Sequence, residues 1–301
     1  MPQAVTTFID PELCTGCGLC VRVCPSQTIS MVHGKAKVTG DRSLNCGHCS
    51  AVCPEGAVTV GSLDPAQSRF ATFELDPAWL PFGQYDLAGL ARLMASRRSC
   101  RNYKDKPVPR DMLADLIKIG LSAPSGTNSQ LWSFTVLPSR EKVLELAQGV
   151  GQVMREFNAM AAKAWLRKGM RLVGKPELDD YFQEHYESVK RGLAEWDEQG
   201  IDRLFHGAPA AILVGSLPGA SCPAEDALLA SGQMLLAAHA MGLGTCLIGY
   251  AVEVLGHKPE LGRALGVGAD ETIHAVIALG WPQEKYQRVT GRRAPLVRWV
   301  D

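Results

Sequence analysis

Seven of the ten cysteines in this 301-residue chain lie between positions 14 and 53. Cys14, Cys17, Cys20 and Cys24 come first, with Pro25 behind them; Cys46, Cys49 and Cys53 follow, with Pro54 behind. Two-residue steps let a short stretch wrap three thiolates around one face of a cuboidal iron-sulfur cluster, while the fourth cysteine reaches across to another cluster. A zinc site would instead show two separated C-x2-C pairs. Shifting the chain by 29 positions lays Cys17 on Cys46, Gly18 on Gly47, Cys20 on Cys49, Cys24 on Cys53 and Pro25 on Pro54. Cys14 falls on Ser43, the one mismatch among the sulfur positions. Glycines 16, 18 and 47 suit a backbone that must pass close to inorganic sulfide.

This pattern resembles a two-cluster bacterial ferredoxin with one ligand lost. The resemblance gives the first 4Fe-4S cluster Cys14, Cys17, Cys20 and Cys53, and the second Cys24, Cys46, Cys49 and Ser43. The second site has four outcomes. Ser43 ligates as an alkoxide, one iron of a 4Fe-4S cluster is open or water-bound, the centre holds three irons, or the site is empty and its thiols are structural. The adopted reading is a 4Fe-4S cluster of altered potential. His48 is expected to donate a hydrogen bond or face solvent, not to ligate.

A second set of residues suits phosphate and a flat heterocycle. Arg97, Arg98 and Arg101 flank Ser99, and several charge-assisted bonds in a short span suit a phosphate. In APSGTNSQLWSF, residues 123–134, Pro124, Ser125 and Gly126 make a tight turn; Asn128 and Gln130 add paired donors and acceptors. A glycine-rich turn runs from Gly242 to Gly249, and Arg292 and Arg293 lie near the end. The motifs RRSCRNY, APSGTNSQLW, HGAPAAILV, GQMLLAAHAMGLGTCLIGY and GWP are similar to those of the nitroreductase family over about residues 90–295. That resemblance implies an α+β fold, an intertwined homodimer and FMN at the subunit interface. Arg97, Arg98, Ser99 and Arg101, with Arg292 or Arg293, would hold phosphate and ribityl. Pro124, Ser125, Gly126, Asn128 and Gln130 would meet the cofactor, partly across the dimer. Leu247, Ile248 and Gly249 would offer amides to the flavin edge, and Arg101 a charge near N1. Leu131 stands where the family often has proline.

No Ser-His-Asp set or paired carboxylate stands out, and a flavin can supply the chemistry itself. The expected activity passes electrons from the clusters, or from NAD(P)H, through FMN to a small planar acceptor such as a nitroaromatic, quinone or enone. One alternative is a specialised redox enzyme, a reductive dehalogenase or dehydrogenase exchanging electrons with ferredoxin. Another is a non-catalytic electron carrier or redox sensor. Cys100 and Cys246 are read as packing residues and His239 as a satisfied core histidine.

Composition bounds these readings. With 31 basic and 31 acidic side chains the chain has no basic footprint for nucleic acid. Clustered cysteines without a leader-like N-terminus point to a reducing cytoplasm. The stretch Ala227–Val252 lacks charge, but its glycines argue for a buried helix over a membrane span. An N-terminal ferredoxin-like iron-sulfur domain is expected over 1–62, a proline-containing linker over 63–85 and the FMN domain over 86–301. Trp79, Leu80 and Phe82 imply that the linker packs on something. Helices are expected from Asp86, after Pro109, through 141–204 and over about 224–241, with strands at 132–137, 210–214 and 273–279. Helices and strands mix without a βαβ rhythm, so the fold class is α+β.

Overall fold

The computed structural model describes residues 4–300; Met1 to Gln3 and Asp301, at the outer limits of the expected domains, lie outside the described residues. The cysteine-rich lobe runs β1 (Thr7–Ile9), α1 (Leu19–Val23), β2 (Ile29–Val32), β3 (Lys35–Val38), α2 (His48–Ala51) and β4 (Val58–Val60). β2 and β3 form a hairpin. Its turn is His33-Gly34, with φ of 50° and 78°, the positive pair that a two-residue hairpin turn favours. β1 pairs with β4 and ties the two ends of the lobe together. β2 and β4 thus end the two halves of the repeat, and each finds its partner, β3 or β1, outside the cysteine motif. α1 and α2 are the twin turns of the repeat. Each follows a left-handed glycine, Gly18 (φ 73°) or Gly47 (φ 77°), and each buries one cysteine, Cys20 or Cys49. The core beneath is small: Ile29, Ala36, Ala57, Val58 and Val60 packed with Cys14, Cys20 and Cys49. A core of that size usually needs a further staple.

The larger domain holds α3 (Leu87–Ser96), α4 (Arg110–Gly120), β5 (Trp132–Leu137), α5 (Arg140–Ala161), α6 (Ala164–Leu172), α7 (Glu177–Glu184) and α8 (Tyr186–Gln199). β6 (Ala210–Ser216), α9 (Pro223–Ala240), β7 (Gly244–Leu247), α10 (Gly249–His257), α11 (Pro259–Ala264) and β8 (Thr272–Gly280) complete it. The sheet is antiparallel, in the order β5-β6-β8-β7. β6 is buried along its whole length, and its side chains alternate between two cores. Ala211 and Leu213 join Val276 and Ala278 against α5 and α10. Ala210, Ile212 and Val214 join Ile277 and Leu279 against α4 and α9. The architecture is thus α+β, one sheet between two helical layers. α5 starts at Ser139, whose hydroxyl accepts from the Lys142 amide, and α9 starts at Pro223 with Glu225 and Asp226 in its first turn.

Two expectations need correction. α9 carries no charged side chain beyond Asp226, yet only one face is covered: Leu228 and Leu229 are half exposed. His239, near its end, is only partly buried and lines a cavity of about 430 Å³ instead of sitting in the core. In the segment 63–85, Trp79 (72% exposed) and Phe82 (93%) pack on each other and otherwise face solvent within this chain. That segment is anchored elsewhere. The buried Asp115 on α4 accepts from the amides of Ala71 (3.0 Å) and Thr72 (2.7 Å) and from the Thr72 hydroxyl (2.7 Å). These bonds outweigh the opposing effect of burial and hold its carboxyl below the usual range.

Asp115→Ala should therefore cost about 2–3 kcal/mol, the loss of several hydrogen bonds to one buried carboxylate. It should also open residues 70–76 to limited proteolysis before the sheet unfolds. Unchanged melting and unchanged cleavage would contradict the anchoring role.

Candidate redox site

The cysteine lobe brings the predicted ligands together in two sets. Cys14, Cys17, Cys20 and Cys53 line one small hollow, with Ala36, Ala57 and Val58. Cys24, Cys46, Cys49 and Ser43 line the other, with Thr28, Asn45 and His48. Among the described residues no three metal-binding side chains converge on a single point. The thiols surround hollows, and that donor arrangement fits a cluster of several atoms. Backbone amides point at the sulfurs. The amides of Ala36 and Gly16, helped by Lys35, hold the Cys14 thiol below its ordinary value against the effect of burial. Burial pushes Cys24 up, but the amide and hydroxyl of Thr28, with the amides of Ser26 and Ile29, outweigh it and hold the thiol low. Cys20 and Cys49, the buried pair on the twin turns, are pushed up by burial. His48 Nδ1 lies 2.8 Å from Cys46 Sγ, at hydrogen-bonding distance. Ser43 Oγ accepts from the Asn45 amide at 3.0 Å.

The arginine-rich segment 97–103 is extended and lies beside β7 through a parallel bridge, Ser99 to Thr245, with the Cys100 amide on Thr245 O at 2.8 Å. This close approach explains Gly244: a Cβ there would come within 2.7 Å of Cys100 Sγ. Alternation along an extended segment divides the residues. Arg97, Ser99 and Arg101 all act on Cys246, whereas Arg98 turns away and donates to Thr290 Oγ1 at 3.0 Å. Arg97 and Arg101 have no carboxylate partner among the described residues, so this edge carries two uncompensated cations beside a hydroxyl. That donor set fits an anion such as a phosphate. Arg292 and Arg293 sit exposed in the irregular tail, just beyond the Thr290 contact. Leu247 is exposed and Gly249 opens α10, but the Ile248 amide already donates to Val276 O at 2.8 Å, so only the amides at the start of α10 remain for a ligand. Cys100 and Cys246 are buried packing residues whose thiols burial pushes up.

The turn at 123–130 lies at the opposite edge of the sheet, where it leads into β5. Three strand spacings separate the two edges, about 14 Å. The turn is strained: Thr127, Asn128 and Gln130 all have positive φ, 51°, 54° and 49°. Asp226, which the sequence reading missed, organises it. Its carboxylate accepts from the Gly126 amide (2.9 Å) and the Ser129 hydroxyl (3.4 Å), and its carbonyl accepts from Trp132 Nε1 (3.0 Å). Its place in the first turn after Cys222-Pro223 was the available signal. Ser125 Oγ accepts from the Gln130 amide at 3.1 Å, while Pro124 and Gln130 are exposed. Asn128 Nδ2 reaches the cysteine lobe, donating to Leu44 O at 2.9 Å and Asn45 O at 3.3 Å.

Residues 94–281 match the model of the nitroreductase family, and residues 6–66 match that of a 4Fe-4S dicluster domain. The chain belongs to the nitroreductase family. This nitroreductase-family oxidoreductase is 30% identical over 208 residues to an NADH dehydrogenase of Thermus thermophilus, covering 68% of this chain and 91% of that one. It is 27% identical over 217 residues to a 4-nitrobenzoate reductase of a Nocardioides species, covering 64% and 81%. Among solved structures, a nitroreductase with bound FMN from Bacteroides fragilis shares the fold at a TM-score of 0.51 and 22% identity, over 70% of this chain and 98% of that one. FMN and 4Fe-4S clusters are the cofactors that go with these two domains. No helix among the described residues is long and apolar enough to cross a membrane.

Two half-buried histidines set a pH limit on the fold. Burial pushes His206 down; Asp202 opposes this, and Arg101 and Arg203 add to it. His274, 2.9 Å from Ser216 Oγ, is pushed down by burial against Glu225. The unfolded chain therefore binds more protons than the folded chain once the pH falls below about 6.5, so these groups favour the fold above that pH and lose the effect below it. Melting temperature should fall on the acid side of about pH 6.5, and the double variant His206→Gln, His274→Gln should flatten that slope. The same slope in the variant would rule these groups out as its source.

Proposed function

We propose that the protein is an iron-sulfur flavoprotein reductase. It joins a donor, either a low-potential electron carrier at the cysteine lobe or NAD(P)H, to a small planar acceptor such as a nitroaromatic, quinone or enone. The observation that carries this reading is the pairing, in one chain, of two thiol-lined hollows with an edge of uncompensated arginines. FMN, when bound, supplies hydride or single-electron transfer to a molecule stacked on its ring. The chain's residues do the holding. Arg97 and Arg101 neutralise the phosphate, Ser99 donates to it, and the first amides of α10 offer partners to the ring edge. In the cysteine lobe, amides aimed at Cys14 and Cys24 stabilise thiolate charge. The NADH dehydrogenase and 4-nitrobenzoate reductase relatives support NADH and a nitroaromatic as the first pair to try. Anaerobic stopped-flow mixing with NADH, NADPH or reduced ferredoxin identifies the donor. A colourless preparation with neither iron nor flavin would overturn the reading. Arg101→Met should weaken FMN binding by about 10–100-fold, the loss of one charge-assisted contact. Arg98→Met should weaken it far less. Flavin fluorescence titration measures both.

The same reading includes a homodimer. The arginine edge and the 123–130 turn lie on opposite edges of the sheet, so one flavin meets both most simply when the turn comes from a second copy. Apolar side chains without cover support it: Phe82, Leu87, Leu228 and Leu229, and Leu296, Trp299 and Val300 of the tail, are about half to almost fully exposed. Patches of this kind mark association surfaces. The protein should sediment as a dimer, and the double variant Leu296→Asp, Trp299→Asp should shift it to monomer and release FMN. A monomeric parent that retains flavin would contradict the shared site.

A further inference from the structure

The two halves of the cysteine repeat are not equivalent, and they differ where the larger domain touches them. Under the 29-residue shift Gly16 becomes Asn45, as Cys14 becomes Ser43. The backbone is preserved: Gly16 has φ 78° and Asn45 φ 48°. So is the local hydrogen bond. The Gly16 amide serves Cys14 Sγ, and the Asn45 amide donates to Ser43 Oγ. Asparagine is among the few side chains that tolerate this left-handed position. In the first half no side chain would fit, since a Cβ on Gly16 would lie 2.2 Å from Gly34 O. In the second half the Asn45 side chain ties the loop down, accepting from the Thr6 amide (3.3 Å) and hydroxyl (3.2 Å) and donating to Ala4 O (2.9 Å). Asn45 is 4% exposed. The carbonyls of Leu44 and Asn45, between ligand positions Ser43 and Cys46, both receive Asn128 Nδ2. The first half faces outward, with Cys17, Leu13 and Met31 exposed.

We infer that Asn128 is the joint that seats the second-cluster loop against the flavin turn, making the Cys24-Cys46-Cys49-Ser43 site the inner relay and the Cys14-Cys17-Cys20-Cys53 site the outer one. This inference rests on the proposed flavoprotein reading and deepens it. Reducing the flavin takes two electrons and one proton. Two molecules of a ferredoxin-class donor are each oxidised by one electron, and the proton comes from water. Asn128 is a positioning residue: its amide holds the loop that presents two ligand positions, and the same turn carries the residues expected to face the ring. A loop held by two hydrogen bonds from one amide changes register when that amide becomes a carboxylate, because two carbonyls then face a negative charge.

The test compares the intact protein with Asn128→Asp, Asn128→Ala and Cys46→Ala, all purified without oxygen. EPR of the reduced clusters, iron and flavin content, and the rate of flavin bleaching by reduced ferredoxin are read together. The Asn128 variants should keep the first-cluster signal, change the second-cluster signal and slow bleaching by about tenfold or more, as expected on losing two hydrogen bonds. Cys46→Ala should keep the first cluster and abolish ferredoxin-driven bleaching. The inference is overturned if the Asn128 variants lose flavin alone with an unchanged second-cluster spectrum, if Cys46→Ala bleaches at the parent rate, or if the parent holds only about four irons per chain, one cubane's worth. Failure of the flavoprotein reading looks different: the parent itself would show no ferredoxin-driven bleaching, and the second-cluster spectrum would still decide whether Asn128 is the joint.

Discussion

The buried carboxylate of Asp226 holds the turn on which the arrangement of this molecule depends. A carboxylate taken out of water is costly unless hydrogen bonds replace the lost hydration. Here they come from the Gly126 amide and the Ser129 hydroxyl, and the position in the first turn of α9 adds the favourable end of the helix dipole. In return the carboxylate fixes a turn with three positive-φ residues that are not glycine. Strained backbone of that kind persists only where its surroundings over-determine it. The turn is therefore a rigid platform, and rigidity lets one asparagine amide on it carry a domain-to-domain contact.

Much of this was legible in the sequence because the cysteine chemistry is local. The two-residue steps and the 29-residue repeat carry the ferredoxin resemblance that implies two sets of ligands, and the folded lobe groups the same eight residues around two hollows. The α+β character and most helices and strands of the larger domain were also legible, because amphipathic spacing and a fully apolar strand are local properties. What the sequence could not show was which partner each element finds. β2 and β4 pair with β3 and β1, which are short and carry weak patterns. Arg98 parts from Arg97 and Arg101 only because the segment is extended, and that depends on its bridge to Thr245. Asp226 lies about a hundred residues from the turn it organises, beyond the reach of any local rule. α9 misled because an uncharged stretch reads as buried, whereas Leu228 and Leu229 are left for another surface to cover.

The thiols of the lobe fall into two environments. Cys20 and Cys49 sit at the same place in each half, buried on the first helical turn, and burial raises both. Cys14 and Cys24 receive amides and are lowered. At Ser43 the lobe keeps the amide and changes the atom that receives it. A hydroxyl is a far weaker acid than a thiol, so the amide that would help a thiolate at this position contributes much less toward an alkoxide. The second hollow thus carries less ligand charge than the first unless the iron itself deprotonates the serine. A site with less negative ligand charge holds an added electron more readily, since net charge is one of the levers on cluster potential. With the second half docked on Asn128 and the first half open to solvent, that ordering runs from the outside inward. In the proposed relay an electron would then fall to higher potential as it passes from the first hollow to the second, and the substitution that breaks the repeat would give that relay its direction.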